Sequence, residues 1–456
     1  MRQTPSGRPR GARSLLVGAL TVSALLLQPV PVRAEPSSTL TFSDAVRIAL
    51  ERNITLRQST NAAALDDVAL RQAQQQFLPS LTLGSGASRT FGAPNDPGTR
   101  SLDASASAGL TLFDGFGDLA SLRAARLSQR AGRSDLRRSR QTVVFTVASD
   151  FLLLLQRQEQ LRVQQEALAA DSALEHQIRE YVAAGTRTVA DLYQQQAVVA
   201  GAQLTVVESD QAWQLAQVDL MLVLQLDPAR AYTFEGPTLP VDSAAADSLE
   251  LDRLLARAWS QREDLSAGQA RSAAARQNVT VAGAAAWPSV SLSARYGSSF
   301  SSATDLAFAD QFDERRGGSL GVGVSLPVFD RGGTAAARQR ARIQVDNSTL
   351  LLEGQRQTVG LEVRRAYLNL RAAREQLRAA EAQERAAELS LRTSQERYEA
   401  GAATLVELAQ ARATRVQAAS ALVSGRYNLL FQRVLLDYYV GESDPSESLT
   451  ARGPAR

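Results

Sequence analysis

Residues 401–408 read Gly-Ala-Ala-Thr-Leu-Val-Glu-Leu, and residues 185–192 read Gly-Thr-Arg-Thr-Val-Ala-Asp-Leu. The two stretches share the skeleton Gly-x-x-Thr-x-x-acid-Leu and lie 216 residues apart. Each stretch separates two long segments of helical periodicity, so its glycine is placed to end one helix and its threonine to cap the next. The sequence therefore predicts two turns of the same kind, each at the tip of a helical hairpin.

The residues around both turns are duplicated as well. Downstream of residue 110 the offset of 216 is kept, and it relates Phe113 to Phe329. Upstream of residue 80 the offset is 209, and it relates Pro79 to Pro288. The offset changes in a region where the second copy has a longer loop. Because register is kept over most of the chain, we conclude that the chain consists of two copies of one unit.

The boundaries of the copies follow from this comparison and from composition. The first copy covers 35–226 and the second covers 249–441, with a proline- and alanine-containing linker over 227–248. Residues 442–456 are polar and contain proline, which predicts a disordered C-terminal tail.

The first 34 residues have the pattern of a secretory signal peptide. A basic segment precedes an apolar run over 15–27, and the small-residue cleavage site Val32-Arg33-Ala34 follows. A membrane anchor is the alternative, but the apolar run is short and ends in prolines. We therefore predict that residues 1–34 are removed and that the protein leaves the cytoplasm.

Charge and composition exclude several classes of function. The full chain has a formal net charge of +3, and residues 1–34 hold five arginines and no acid, which leaves −2 for the exported part. We therefore predict no binding to nucleic acid. The chain has no cysteine and a single histidine, His176. We predict no catalytic residue, no cofactor and no metal site, so the protein is not expected to be an enzyme.

Helical periodicity dominates each copy. A first helix is predicted over about 40–77, with Ser43 as its N-cap, and its counterpart over about 252–286. The turns at 185 and 401 are followed by returning helices over about 188–226 and 404–439.

The longest helical patterns lie between these segments, over about 118–182 and 334–400. At 1.5 Å per residue each corresponds to a helix of roughly 100 Å. Apolar residues recur every seven positions, as in a coiled coil, at Val147, Leu154, Leu161 and Leu168 and at Val363, Leu370, Leu377 and Leu391. Alanines occupy the second apolar position of the heptad in the second copy and favour close helix approach.

After each proline at 79 and 288 the period changes from 3.6 to 2, as expected for strands. Each run approaches the length that a tilted strand needs to cross a bilayer. We predict that one face is turned to lipid (Val322, Val324, Leu326) and the other to a lumen (Ser289, Ser291, Ser293). A half-buried sheet of an ordinary soluble domain is the alternative on the strands alone.

Closure of the sheet decides between these alternatives. Two hairpins give four strands per chain, and an open four-stranded sheet in lipid would leave its edges unpaired. Several chains must therefore share one barrel, and three chains would give twelve strands. Acidic residues in the loop after the third strand (Asp305, Asp310, Asp313, Glu314) suggest a metal cluster, but they have no ligand spacing and favour a solvated extracellular loop.

The chain resembles the TolC-like outer-membrane factor family over nearly all of its exported part. The resemblance rests on Leu-Thr-Phe-Ser-Asp-Ala-Val-Arg-Ile-Ala-Leu at 40–50, Phe-Leu-Pro-Ser at 77–80, Leu-Phe-Asp-Gly at 112–115 and the two turns. It implies a duplicated all-α tunnel with a membrane β-barrel of twelve strands, formed by a homotrimer in the outer membrane and extending into the periplasm.

The resemblance also implies partners and site residues. Family members are passive exit ducts for drugs, lipids, metal ions or secreted proteins, served by an inner-membrane transporter and a periplasmic adaptor that docks at the helical tips. Gly185, Thr188, Gly401 and Thr404 match the docking turns, and Asp191 and Glu407 match the acids that ring the closed aperture. The family has an arginine where this chain has Ala403; Arg187 is a substitute that could reach Glu407.

An exported periplasmic coiled-coil scaffold without channel activity is the alternative function. A scaffold would fractionate with the soluble periplasm, whereas a duct would fractionate with the outer membrane.

Overall fold

The computed structural model describes residues 38–91, 98–236 and 250–442. The predicted signal peptide, most of the predicted linker and all of the predicted tail after Glu442 lie outside these ranges.

The order of elements repeats between the two copies. The first copy contains β1 (Ser38–Thr41), α1 (Phe42–Arg52), α2 (Ile54–Gln75), β2 (Ser80–Thr90), β3 (Thr99–Phe113), α3 (Gly117–Ala183) and α4 (Val189–Leu224). The second copy contains α5 (Leu251–Gln261), α6 (Glu263–Ala284), β5 (Ser289–Ser301), α7 (Phe308–Glu314), β6 (Gly317–Ser325), α8 (Gly333–Glu399) and α9 (Leu405–Val440). Between the copies, the short strand β4 (Tyr232–Glu235) pairs in parallel with β1.

The opening helix of each copy is broken into two, which the sequence analysis did not predict. The N-cap of α1 is Thr41, not Ser43, because the Thr41 hydroxyl accepts the N–H of Asp44 while the Asp44 carboxylate accepts the N–H of Thr41. The break follows at Asn53, which caps α2 by accepting the N–H of Leu56 at 3.1 Å.

Arg262 occupies the same position in the second copy and is only 5% exposed. Its guanidinium pairs with Asp264 at 2.6 Å and with Glu362 of α8 at 2.8 Å. Burial alone would raise the pKa of Asp264, but hydrogen bonding and the charge of Arg262 outweigh burial, so this pKa lies below its usual range. Both residues also bind the returning helix of their own copy. The Asn53 amide donates to the carbonyl of Val223, and the Arg262 guanidinium donates to the carbonyl of Tyr439. Val223 and Tyr439 are matching positions, 216 residues apart.

The two long helices are confirmed and differ from prediction by one residue at each end. Both begin where an aspartate caps the helix, since Asp114 accepts the N–H of Asp118 and Asp330 accepts that of Thr334, each at 2.6 Å. Most predicted heptad positions form the core, with Val147, Leu154, Leu161, Val363, Leu370 and Leu377 buried, whereas Leu168 and Leu391, nearer the tips, are only partly buried.

The helices form one layer along the chain. The long helix α3 lies between α1, α2 and α4 on one side and α6 and α9 on the other, and α8 lies beyond α5, α6 and α9. One edge of the layer is therefore formed by α2 and α4, and the other by α8. Across the described ranges, no helix has a stretch that is both long and apolar enough to cross a membrane.

The four longer strands form one antiparallel sheet in the order β2-β3-β5-β6. Residues directly opposite each other share a face. Apolar residues align in this way across all four strands: Leu81, Leu83, Ala106, Ala108, Leu110, Val290, Leu292, Leu320, Val322 and Val324. The other face is made almost entirely of serine, threonine and glycine. The predicted alternation is confirmed, and the sheet has one apolar and one polar face.

Two details of the second hairpin differ from the prediction. The strand β6 ends at Ser325, so Leu326 lies outside it, because Pro327 removes the N–H that would continue the ladder. The loop between β5 and β6 contains α7, held by Gln311, which is fully buried. The Gln311 amide accepts the N–H of Ser301 and donates to the carbonyls of Ser301 and Leu306.

Candidate functional site at the helical tips

Each helical hairpin ends in a tight turn, which we call the first tip turn (residues 184–188) and the second tip turn (residues 400–404). The glycines have positive φ, +74° at Gly185 and +75° at Gly401. The N–H of Thr186 donates to the carbonyl of Tyr181 at 2.9 Å, and that of Ala402 donates to the carbonyl of Arg397 at 2.8 Å. Both long helices therefore end in the same glycine-dependent motif.

Threonine starts the returning helix at both turns. The hydroxyl of Thr188 accepts the N–H of Asp191 at 3.2 Å, and the hydroxyl of Thr404 accepts the N–H of Glu407 at 3.2 Å. The Asp191 carboxylate also accepts hydrogen bonds from the N–H and hydroxyl of Thr188, which completes a capping box. Asp191 is thus tied to its own helix end, whereas the Glu407 carboxylate is directed elsewhere.

Arg187 does not pair with Glu407 in the structure. Its guanidinium lies 4.5 Å from the centroid of the Tyr398 ring, near the end of α8. Burial raises the pKa of the Tyr398 phenol, with Asp191 acting in the same direction and Arg187 against it. The first tip turn is therefore fastened to the second hairpin by a cation–π contact.

Glu407 faces a different arginine. Arg397, in the last turn of α8, lies 3.9 Å from the Glu407 carboxylate and donates to the carbonyl of Ala402 at 3.2 Å. More than half of each side chain is exposed, so the ion pair contributes about 0–1 kcal/mol. Such a pair is weak enough to open and close readily.

Just beyond the tips, apolar and polar contacts hold the two hairpins together. Leu174 and Ile178 of α3 pack with Tyr398, Leu405 and Leu408. Next to this cluster the guanidinium of Arg412 lies 3.2 Å from the Asp171 carboxylate, and both side chains are largely buried. The amide of Gln195 donates to the carbonyl of Asp171 at 3.0 Å. The contacts therefore join α3, α4, α8 and α9 within one chain.

The structure brings Arg187 and Asp191 to Tyr398, and it brings Glu407 to Arg397. Sequence reasoning missed Arg397, Tyr398 and the Asp171–Arg412 pair. A signal for Arg397 was present, because a basic residue in the last turn of a helix is placed to bind carbonyls there. Tyr398 carried no such signal, since its role depends on contact with the other hairpin.

The other candidate groups are placed away from the tips or have local partners. His176 is exposed on α3. In the acidic loop Asp313 pairs with Arg316 at 2.8 Å. Within the part of the chain that the structure describes, no three acidic or histidine side chains are grouped so as to hold a metal ion.

Two long helical hairpins joined to a sheet with one apolar face are the architecture of a helical outer-membrane channel protein. The outer membrane efflux protein family matches residues 45–224 and 254–442. The chain belongs to this family, and it lies in the outer membrane and extends into the periplasm.

Known relatives agree with the family. The chain is 30% identical over 388 residues to the pyoverdine export outer membrane protein OpmQ of Pseudomonas putida, covering 79% of each sequence. It is 28% identical over 390 residues to protein CyaE of Bordetella pertussis, covering 84% of this chain and 80% of that protein.

Solved structures share the fold. The outer membrane protein VceC of Vibrio cholerae has a TM-score of 0.76 at 20% identity, covering 88% of this chain and 96% of that one. The open state of the MtrE outer membrane channel of Neisseria gonorrhoeae has a TM-score of 0.76 at 19% identity, covering 90% and 91%.

Proposed function

We propose that three copies of this chain form a passive exit duct that serves a tripartite efflux or type I secretion system. In this proposal the duct conducts substrates received from an inner-membrane transporter and a periplasmic adaptor. The observation that carries it is the open sheet. One chain supplies four strands with unpaired edges at β2 and β6, and such edges are not tolerated in lipid.

Closure by copies of the same chain satisfies both edges. In the order β2-β3-β5-β6 the directions alternate, so β6 of one chain would run antiparallel to β2 of the next. Three chains give twelve strands, and the aligned apolar residues would then form a continuous outer band. The serine- and glycine-rich face would line a wide lumen.

The edges of the helical layer favour the same assembly. Large apolar side chains are exposed along α2 and α4 at one edge and along α8 at the other: Leu65, Val68, Leu204, Val207, Val218, Ile343, Leu350, Leu351 and Leu361. Large exposed apolar patches commonly mark a protein–protein interface. In a closed ring α8 of one chain would cover α2 and α4 of its neighbour.

The tips are proposed as the docking and gating end of the duct. Gly185, Thr188, Gly401 and Thr404 shape the turns that an adaptor would contact. Asp191 and Glu407 would contribute six acids to an aperture in a trimer, and Arg187 would help to hold the tips together through Tyr398 (three arginines in the trimer). The pyoverdine export named for one relative makes small secreted molecules the first substrate class to test.

Cysteine cross-linking tests the ring, because the chain has no cysteine of its own. A chain carrying Leu83→Cys in β2 and Val322→Cys in β6 should form links between neighbouring chains with a bifunctional thiol reagent. In outer-membrane fractions we expect a ladder that ends at three chains. The unlinked trimer should give channel currents in planar bilayers.

A matched control uses Leu83→Cys with Ala106→Cys, since these residues lie directly opposite each other within one chain. This variant should cross-link internally and give no ladder. Ladders that extend past three chains, or the absence of currents from the assembled protein, would contradict the proposed duct.

A further inference from the structure

The apolar face of the sheet ends in a pair of arginines. Arg89 of β2 and Arg100 of β3 lie directly opposite each other, at the hairpin end that is farthest from the long helices α3 and α8. Because side chains alternate, both share the face of Leu83 and Ala106. Like charges directly opposite in an antiparallel pair are destabilising, so an anion bound between the two guanidinium groups would stabilise this pairing.

The described residues supply no compensating acid. Within 38–91, 98–236 and 250–442, no carboxylate lies within ion-pair distance of Arg89 or Arg100. The Arg89 guanidinium stacks over the Phe91 ring at 5.2 Å, and Phe91 is 79% exposed. Other arginines at this end have partners within the chain, since Arg315 donates to Thr304 and Arg316 pairs with Asp313.

Position along the strand places the arginine pair at the membrane surface. On β3 the apolar face runs from Leu102 to Leu110. With a typical strand rise and tilt this corresponds to a height of roughly 20 Å, close to the apolar band of a membrane barrel. Arg100 is the next residue on this face after Leu102, so the guanidinium groups would lie at the level of the lipid headgroups.

Aromatic residues lie at the same height on the sheet as Arg89 and Arg100. Phe300 lies opposite Leu102 on the apolar face, and its ring is 5.2 Å from that of Phe308 on α7. Phe308 is itself exposed, as is Phe91. Aromatic rings at the ends of an apolar band mark the lipid–water boundary.

We infer that Arg89 and Arg100, with Phe91, form a binding site for the phosphorylated headgroup of an outer-leaflet lipid. Paired guanidinium groups match the geometry and charge of phosphate, and the neighbouring apolar face would contact the acyl chains. The inference rests on the proposed barrel, in which the apolar face meets lipid.

Lipid titration tests the site. Purified protein is reconstituted in phosphatidylcholine vesicles with added diphosphoryl lipid A, with its dephosphorylated form, or with inorganic phosphate, and the temperature of trimer dissociation is measured. We expect the dissociation temperature to rise with diphosphoryl lipid A, and not with its dephosphorylated form or with inorganic phosphate. Arg89→Gln with Arg100→Gln should abolish this rise, because the charge-assisted hydrogen bonds to phosphate are lost.

Arg295→Gln is the matched control. Arg295 lies in the same sheet but on the polar face, where it donates to the Ser105 hydroxyl, so its loss should leave the lipid effect intact. Arg89→Lys with Arg100→Lys retains the charge and should retain part of the effect. An equal rise in the glutamine double variant, or an equal response to inorganic phosphate, would overturn the site. The same arginine substitutions introduced into the Leu83→Cys, Val322→Cys chain should leave the cross-linked ladder normal, which would show that the duct proposal stands independently.

Discussion

Each tip glycine controls the path of the chain without touching its surroundings. A β-carbon added at Gly185 or Gly401 would meet no atom within 4 Å, so substitution acts through the positive φ alone. A β-branched residue in this conformation costs about 1–3 kcal/mol. The cost falls on the turn and not on the core.

We therefore expect Gly185→Val or Gly401→Val to leave the trimer assembled and to abolish export, because the docking surface changes shape. Export of a fluorescent substrate from cells, with trimer content checked on gels, measures both effects. Gly185→Asn and Gly401→Asn are the controls, since asparagine tolerates a left-handed conformation. Normal export by both valine variants would remove the turns from the docking site.

Asp191 and Glu407 differ in how firmly they are held. Asp191 is fixed by the hydroxyl and N–H of Thr188, whereas Glu407 has only a long, exposed contact with Arg397. Both lie in the first turn of a returning helix, where the helix dipole stabilises negative charge. A ring of such acids would favour cations at the mouth of a channel.

Single-channel recordings under a salt gradient test this ring. Asp191→Asn with Glu407→Gln should move the reversal potential toward lower cation selectivity. Asparagine keeps the capping geometry at Asp191, so the change reports charge and not loss of the cap. Glu399→Gln, at the last residue of α8 before the second tip turn, is a control for a general loss of negative charge. An unchanged reversal potential in the double variant would mean that these acids do not line the aperture.

At the scale of the elements, the register of the sheet shows how far each residue lies from the strand ends, and therefore how deep it would lie in the membrane. Leu320 of β6 lies opposite Ala294, well inside the strand, whereas Val324 lies one residue from its end. On the polar face Ser293 lies opposite Gly321, where a large side chain would have free space.

We expect Leu320→Arg to destabilise the folded barrel by about 2–4 kcal/mol and Val324→Arg by about 0–1 kcal/mol, because the cost falls toward the interface. Ser293→Arg should assemble and change only conductance. Unfolding by urea in lipid vesicles gives the free energies. If Leu320→Arg and Ser293→Arg were equally harmless, the assignment of faces would be wrong.

The helices show which elements sequence patterns predict well. The heptads of α3 and α8 predicted their length and core because each apolar residue packs on a partner at a fixed spacing. The break at Asn53 was missed because the helical pattern continues on both sides of it, although asparagine is a favoured N-cap residue. Its bond to the Val223 carbonyl joins residues far apart in sequence.

At the scale of the whole molecule, the duplication in the sequence predicted the architecture, but it did not predict the side-chain contacts at the tips. Two turns of the same sequence adopt the same backbone, which the glycine and threonine skeleton determines locally. Their side chains differ because Arg187 has no counterpart at Ala403. The contact of Arg187 with Tyr398 depends on how the two hairpins pack, and no periodicity within either hairpin records that arrangement.

The break between the opening helices is where the two halves of the chain differ most clearly in chemistry. Where the second half has Arg262, Asp264 and Glu362, the first half has Asn53, Thr55 and Thr146 at the matching positions. In each half one residue of the set donates to the end of the returning helix: Asn53 to the Val223 carbonyl, and Arg262, held by Asp264 and Glu362, to the Tyr439 carbonyl.

A buried charge without its partner is costly, so the three positions of the triad constrain one another. Starting from the neutral set, an arginine that arose first would lack its acids, and acids that arose first would lack their arginine. Once complete, the triad resists reversal for the same reason. The three positions of the triad therefore cannot be exchanged one at a time for their counterparts in the first half without a loss of stability.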